Sequence, residues 1–294
     1  MEQNENDILR RVRKIEIKSR GLSNQIFAGK YHSAFRGRGI TFSEVREYRP
    51  GDDVRDIDWN VTARARSPYI KVYEESRELT VMLMVDVSGS RMFGSGSALK
   101  KNILNEIAAV LAFSAVQNSD KVGCILFSDR VERYIPPKKG KQHIMMIIRE
   151  LVGFNPTSTG TNITSAVEFF TNVNKKRCTC FVMSDFITDE GDRKGLNNAF
   201  KIARSRHDMV AVRVEDPREC ELPDVGLVEF VDSETGAKRL IDTSSRGVRE
   251  GYAIRWMAHR EQITNIFNHN KIDSAEVSTE GDYVVELIKL FKKR

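Results

Sequence analysis

Four short runs of nearly unbroken apolar sequence, at 79–86, 122–128, 179–185 and 209–214, constrain this chain more than any other feature. A strand with one wet face alternates apolar and polar residues, whereas a strand covered on both faces reads as a continuous apolar run. The stretches between the runs keep a helical period instead. Leu99, Ile103, Ile107, Val110 and Leu111 form one stripe, and Ile163, Val167, Phe170 and Val173 another. Doubly covered strands separated by amphipathic helices predict an α/β fold, with a doubly wound, mainly parallel sheet flanked by helices over residues 79–294. Sheets of this kind hold ligands beyond the carboxyl ends of their strands, so the stripes are packing and the functional residues belong in strand-end loops.

After residue 214 the pattern changes. Segments 226–231 and 238–242 flank a polar stretch with a glycine, which predicts a hairpin. A long helix over 246–269, carrying Tyr252, Trp256, Ile263, Ile266 and Phe267, comes next. A short segment at 274–278 and a closing helix over 283–291 end the same domain.

The first 78 residues read as a separate basic and Gly/Arg-rich segment. Residues 8–38 carry nine basic side chains against one acidic, in a chain whose formal net charge is only +6. Such a run is ordinarily a solvated helix face and loop packed on the main domain. Its functional alternative is electrostatic docking to an acidic protein or a nucleic acid backbone. With no interleaved aromatic platform and no nucleic-acid motif, the protein partner is favoured.

No apolar stretch approaches the roughly 20 residues needed to cross a bilayer, and the acidic, polar start lacks the pattern of a secretory signal. The expectation is a cytoplasmic protein. Its four cysteines, Cys124, Cys178, Cys180 and Cys220, lie in or near apolar runs without disulfide-scaffold spacing, and they are expected to be reduced and partly buried. Cys178 and Cys180 lack two further ligands for zinc.

The residues that carry chemistry are Asp86, Ser88 and Ser90, directly after the first apolar run. An Asp at a strand end followed by hydroxyls at every second position directs three hard oxygens to one point, which suits Mg²⁺ or Mn²⁺. Alone, such a triplet is more often a plain loop. Two further oxygen donors, Thr161 before an amphipathic helix and Asp185 ending the third apolar run, stand where the fold would bring them to the same rim. The plain alternatives are a helix-cap neighbourhood for Thr161 and a turn residue for Asp185.

In order and spacing, Asp86, Ser88, Ser90, Thr161 and Asp185 resemble the metal-ion-dependent adhesion site of the von Willebrand factor A domain. That resemblance implies that Asp86, both serines and Thr161 hold the ion directly or through water, that Asp185 acts mostly one layer out, and that a partner's carboxylate completes the coordination. A narrower resemblance rests on Arg36-Gly37-Arg38-Gly39-Ile40-Thr41-Phe42, on 46–59 (REYRPGDDVRDIDW) and on Ala63-Arg64. These are similar to the bacterial family called domain of unknown function fifty-eight, whose members are typically encoded beside MoxR-type AAA+ ATPases. The implied partner is such an ATPase. One departure is Arg91, where the family commonly has Met.

Other motifs carry less. Asp52, Asp53, Asp56 and Asp58 lack the glycine and glutamate offsets of a calcium loop and are read as structural, with Pro50-Gly51 making a turn and the carboxylates pairing with arginines. The glycine-rich stretch at 94–101 lacks the Gly-Lys-Ser/Thr ending of a phosphate loop. The five histidines show no ligand spacing, and no catalytic triad can be nominated. The expected function is therefore a non-catalytic, metal-dependent protein-interaction module. The rival readings are a metal-dependent phosphoester hydrolase, for which no general base is nominated, and nucleic-acid binding through residues 8–38.

Overall fold

A computed structural model of the chain describes residues 2–22, 39–65, 67–76, 79–94, 99–188, 192–231 and 236–294. Arg36, Gly37 and Arg38 of the family-like run, Lys30 and His32, residues 95–98 of the glycine-rich stretch and the hairpin turn at 232–235 lie outside the described residues. The chain divides into two compact units, one of Met1–Phe35 with Leu79–Arg294 and one of Arg36–Glu78. The boundary expected at residue 78 is an edge of this division, whereas the helical opening groups with the larger unit.

In that unit α1 (Glu2–Leu22) is followed by β3 (Thr80–Asp86), α3 (Lys100–Gln117), β4 (Lys121–Phe127), β5 (Val131–Lys138), α4 (Lys141–Gly153) and α5 (Ile163–Val173). The chain continues through β6 (Thr179–Ser184), α6 (Arg193–Arg206), β7 (Asp208–Glu215) and the single turn α7 (Pro217–Cys220). The hairpin β8 (Leu227–Val231) and β9 (Lys238–Asp242), α8 (Arg246–His269), β10 (Asp273–Ser278) and α9 (Tyr283–Lys293) complete it.

The main sheet has the order β10-β7-β6-β3-β4-β5, parallel throughout except for the β4–β5 pair. Every residue of 81–86, 122–127 and 179–184 is buried, as continuous apolar runs require. Alternate residues of β3 point to opposite faces. Val81, Leu83 and Val85 join a core with Ile107, Leu111, Ile147 and Leu287, while Met82 and Met84 join a second core with Ile163, Phe170, Phe200 and Phe267. Each large apolar side chain taken fully out of water contributes about 1.5–3 kcal/mol, so the two layers clamp the sheet from both sides. The predicted stripes are these contacts, apart from half-buried Leu99, which caps α3 outside both cores, and Val173, which is exposed at the end of its helix.

From β3 the chain crosses by α3 to β4 on one side, and after β5 it returns to β6 on the other side of β3. The winding reverses there, and such reversal opens a crevice at the strand ends. Asp86 ends β3 and Asp185 follows β6. The fold itself therefore puts both carboxylates at the switch point.

The opening helix α1 belongs to this layer arrangement: Val12 is buried in the first core and Lys18 pairs with Glu106 of α3. Arg10, Arg11 and Arg13 are exposed on the same helix. No helix among the described residues is long and apolar enough to cross a membrane.

The smaller unit pairs β1 (Gly39–Glu47) with β2 (Tyr69–Ser76) antiparallel, with α2 (Trp59–Ala65) between them. Of its acidic cluster, Asp52 pairs with an arginine as expected, while Asp53 and Asp58 hold backbone amides instead. Asp52 takes a forked pair of hydrogen bonds from Arg46 at 2.8 and 2.7 Å and a third from the Arg49 amide at 2.7 Å, which hold its carboxyl below the usual range. Asp53 accepts from the Arg55 amide and Asp58 from the Asn60 and Val61 amides. Gly51, at φ 108°, makes the turn.

Candidate metal centre

β3 delivers Asp86 to the end of the sheet, where the chain leaves through Val87 and turns in a short 3₁₀ helix, Gly89–Met92. The Val87 amide donates to Phe127 O of β4 at 2.8 Å, so the loop starts from a fixed point. Asp86 is buried, and both its oxygens are engaged: Oδ1 accepts from the Ser88 amide at 2.9 Å, and Oδ2 accepts from the Ser184 hydroxyl at 2.6 Å. Ser88 stands at the N-cap of the 3₁₀ turn yet makes no capping bond with its side chain. Its Oγ lies 3.0 Å from Ser90 Oγ, so the two hydroxyls converge.

The loop carrying Thr161 runs alongside. Gly89 donates its amide to Thr159 O at 2.9 Å, and the Asn162 amide donates to Ser128 O at 2.8 Å. Asn162, rather than Thr161, caps α5, accepting from the Ser165 amide at 2.8 Å. Glu132 organises the start of this loop by accepting from the Thr157 amide at 3.0 Å, the Thr157 hydroxyl at 2.8–2.9 Å and the Ser158 amide at 3.2 Å. Burial works against the charge of Glu132, but these donors and the Ser128 hydroxyl outweigh it and lower its carboxyl below the ordinary value.

Asp185 is placed differently from Asp86. Its Oδ1 accepts from the Ile187 amide at 3.1 Å, closing a local turn in which Phe186 takes the left-handed φ of 56°. Its Oδ2 accepts from Lys100 Nζ at 2.9 Å. Lys100, in the first turn of α3, is almost fully buried and also contacts Glu219 of α7. Burial opposes its charge, but Asp185 and Glu219 outweigh that and hold it above the ordinary lysine value. Arg91 is buried as well, donating to Phe154 O at 2.9 Å.

Burial and, after it, the neighbouring Asp185 carboxylate push the Asp86 carboxyl up to about 6, against hydrogen bonds from Ser184 and Ser88. Two near carboxylates and two converging hydroxyls form a hard-oxygen cluster, and a cation would relieve the repulsion between the acids. The donor set therefore fits a small hard ion at Asp86, Ser88 and Ser90, with Thr161 on the adjoining loop and Asp185 behind. Among the described residues no group of three or more His, Cys, Asp or Glu is gathered for a metal.

Ser184, Lys100, Glu132 and Glu219 are absent from the sequence-derived set. Ser184 adjoins Asp185 at a strand end, and Glu219 completes a capping box with Asp216 that the Asp-Pro-Arg-Glu spacing encodes. Lys100 and Glu132 act on residues far away in sequence, which no local pattern reveals.

The model of the family described as "Protein of unknown function DUF58" matches residues 44–262. The chain is 27% identical over 285 residues to the uncharacterized protein Rv1480 of Mycobacterium tuberculosis, covering 96% of this chain and 88% of that protein. Among solved structures it resembles the conserved hypothetical protein BatB of Bacteroides thetaiotaomicron, with TM-score 0.49, 16% identity and coverage of 73% of this chain and 98% of that one. It also resembles a von Willebrand factor type A protein from Catenulispora acidiphila, with TM-score 0.36, 11% identity and coverage of 49% and 35%.

Proposed function

The chain belongs to the DUF58 family of proteins of unknown function, and from that premise we propose that it is a non-catalytic interaction module that grips a protein partner through a bound Mg²⁺ or Mn²⁺ ion. Asp86, Ser88, Ser90 and Thr161 hold the ion, Asp185 supports it from behind, and an Asp or Glu of the partner displaces water to complete the shell. The observation that carries this reading is the pair of converging hydroxyls, Ser88 and Ser90, beside a buried Asp86 at the reversal point of the sheet. Such a site has one direct carboxylate and neutral donors, so its ion keeps positions open for an anionic ligand.

The residues around the ion favour binding over chemistry. Three charged side chains around Asp86, those of Lys100, Asp185 and Arg91, are all held by protein partners. A general base must be within reach of a substrate-bound water, and no such group is nominated here. The partner is an AAA+ ATPase of the MoxR type, as the family resemblance implies, and the complex works in the cytoplasm. The test is capture of that purified ATPase on the immobilised chain, with Mg²⁺ and with chelator. Retention that needs Mg²⁺ and is lost in Thr161→Ala supports the reading, and retention indifferent to both overturns it.

A further inference from the structure

Resting on the ion-bridge reading, the geometry points to Lys100 as the residue that sets the charge of the ion site and keeps Asp185 out of direct contact with the ion. Lys100 Nζ lies 2.9 Å from Asp185 Oδ2 and also pairs with Glu219, with the side chains of Lys100 and Asp185 exposed by only 1% and 2%. With Oδ1 committed to the Ile187 amide, Asp185 has both oxygens engaged. It reaches an ion at Asp86 only by giving up Lys100.

The ammonium thus has two effects. It cancels one of the negative charges that would attract a cation, and in a poorly screened interior that cancellation is strong. It also holds Asp185 in a buried pair that is costly to break, because either partner left alone would be an uncompensated charge. Asp86 accepts only from the neutral Ser88 amide and Ser184 hydroxyl, so it remains as the carboxylate of the two that is not paired with a cation and can meet the ion directly. Lys100 therefore makes the ion weakly held by the chain alone and dependent on the partner's carboxylate for firm retention. Glu219 takes part by sharing the ammonium, which joins the ion site to the corner between β7 and α7. There Asp216 is fixed by the Thr279 hydroxyl at 2.7 Å.

The test compares Mn²⁺ binding to the full-length wild type, to Lys100→Met and to the pair Lys100→Met with Glu219→Gln. Electron paramagnetic resonance gives the affinity, and water-proton relaxation counts the waters on bound Mn²⁺. Lys100→Met is expected to bind at least about tenfold more tightly and to lose a bound water as Asp185 turns to the ion. The paired variant keeps the wild type's net buried charge, so it carries the measurement if the single variant fails to fold. It preserves the site's net charge, so tighter binding and a lost water in it report the release of Asp185 and not charge alone. Wild-type affinity and water count in both variants would overturn the role of Lys100 while leaving the ion site standing. Absence of Mn²⁺ binding by the wild type would instead overturn the ion reading, and the role of Lys100 with it.

Discussion

Ser184 donates its hydroxyl to Asp86 Oδ2 at 2.6 Å, joining the carboxyl ends of the neighbouring strands β6 and β3. A buried carboxylate short of a donor is costly, so Ser184→Ala is expected to destabilise the fold by about 1–3 kcal/mol. Urea unfolding followed by circular dichroism measures the loss. Addition of Mn²⁺ should recover part of it, since an ion that binds only the folded state stabilises it.

Glu132 ties the loop before Thr161 through four hydrogen bonds to Thr157 and Ser158. Glu132→Gln keeps the shape but replaces charge-assisted bonds with weaker neutral ones and puts a donor where only acceptors fit. Ion affinity should fall several-fold, with the helical signal in circular dichroism unchanged. An affinity equal to wild type would mean that the loop is held by other contacts.

Arg91 is a cation beside Asp86, anchored on Phe154 O. Arg91→Met removes the repulsion felt by the ion and one hydrogen bond to a backbone carbonyl. The expected result in calorimetry is a modestly tighter ion, with the difference only weakly dependent on salt because Arg91 is buried, together with a stability loss of about 1 kcal/mol. A looser ion would show that Arg91 organises the loop.

Gly123 sits where β4 meets its neighbours, and a Cβ there would lie 2.6 Å from Met82 Sδ and 2.9 Å from the Ile135 carbonyl oxygen. The backbone of β5 cannot retreat without giving up the ladder. Gly123→Ala is expected to cost about 1–3 kcal/mol, as overpacked cores do, with thermal unfolding as the measurement.

The thiols should be inert in the native state. Burial raises Cys124 and Cys180, and it pushes Cys178 up to about 12. At pH 8 these groups carry almost no thiolate, the reactive form. Alkylation followed by mass spectrometry should therefore label half-buried Cys220 first.

The inner strands β3, β4, β6 and β7 were legible because burial on both faces leaves a continuous apolar run. The predicted 122–128 is shifted by one residue from β4, and 179–185 runs one residue past β6. The helix over 246–269 coincides with α8. β5 was missed: it is an antiparallel edge strand carrying Pro136 and Pro137, with mixed polarity and little burial, so it has no apolar run to announce it. Asp86, Ser88 and Ser90 were readable because one short loop carries all three. Lys100 and Glu132 were not, since their roles come from pairings with Asp185 and Thr157 that only the folded chain creates.

The ion at Asp86 is the centre of this account, and calorimetric titration of Mg²⁺ and Mn²⁺ into wild type and Asp86→Ala tests it most directly. Asp86 is the one carboxylate among the clustered donors whose oxygens are not paired with a cation, so its removal should abolish measurable binding while circular dichroism shows the fold intact. Equal affinity in wild type and a folded Asp86→Ala variant would contradict the site.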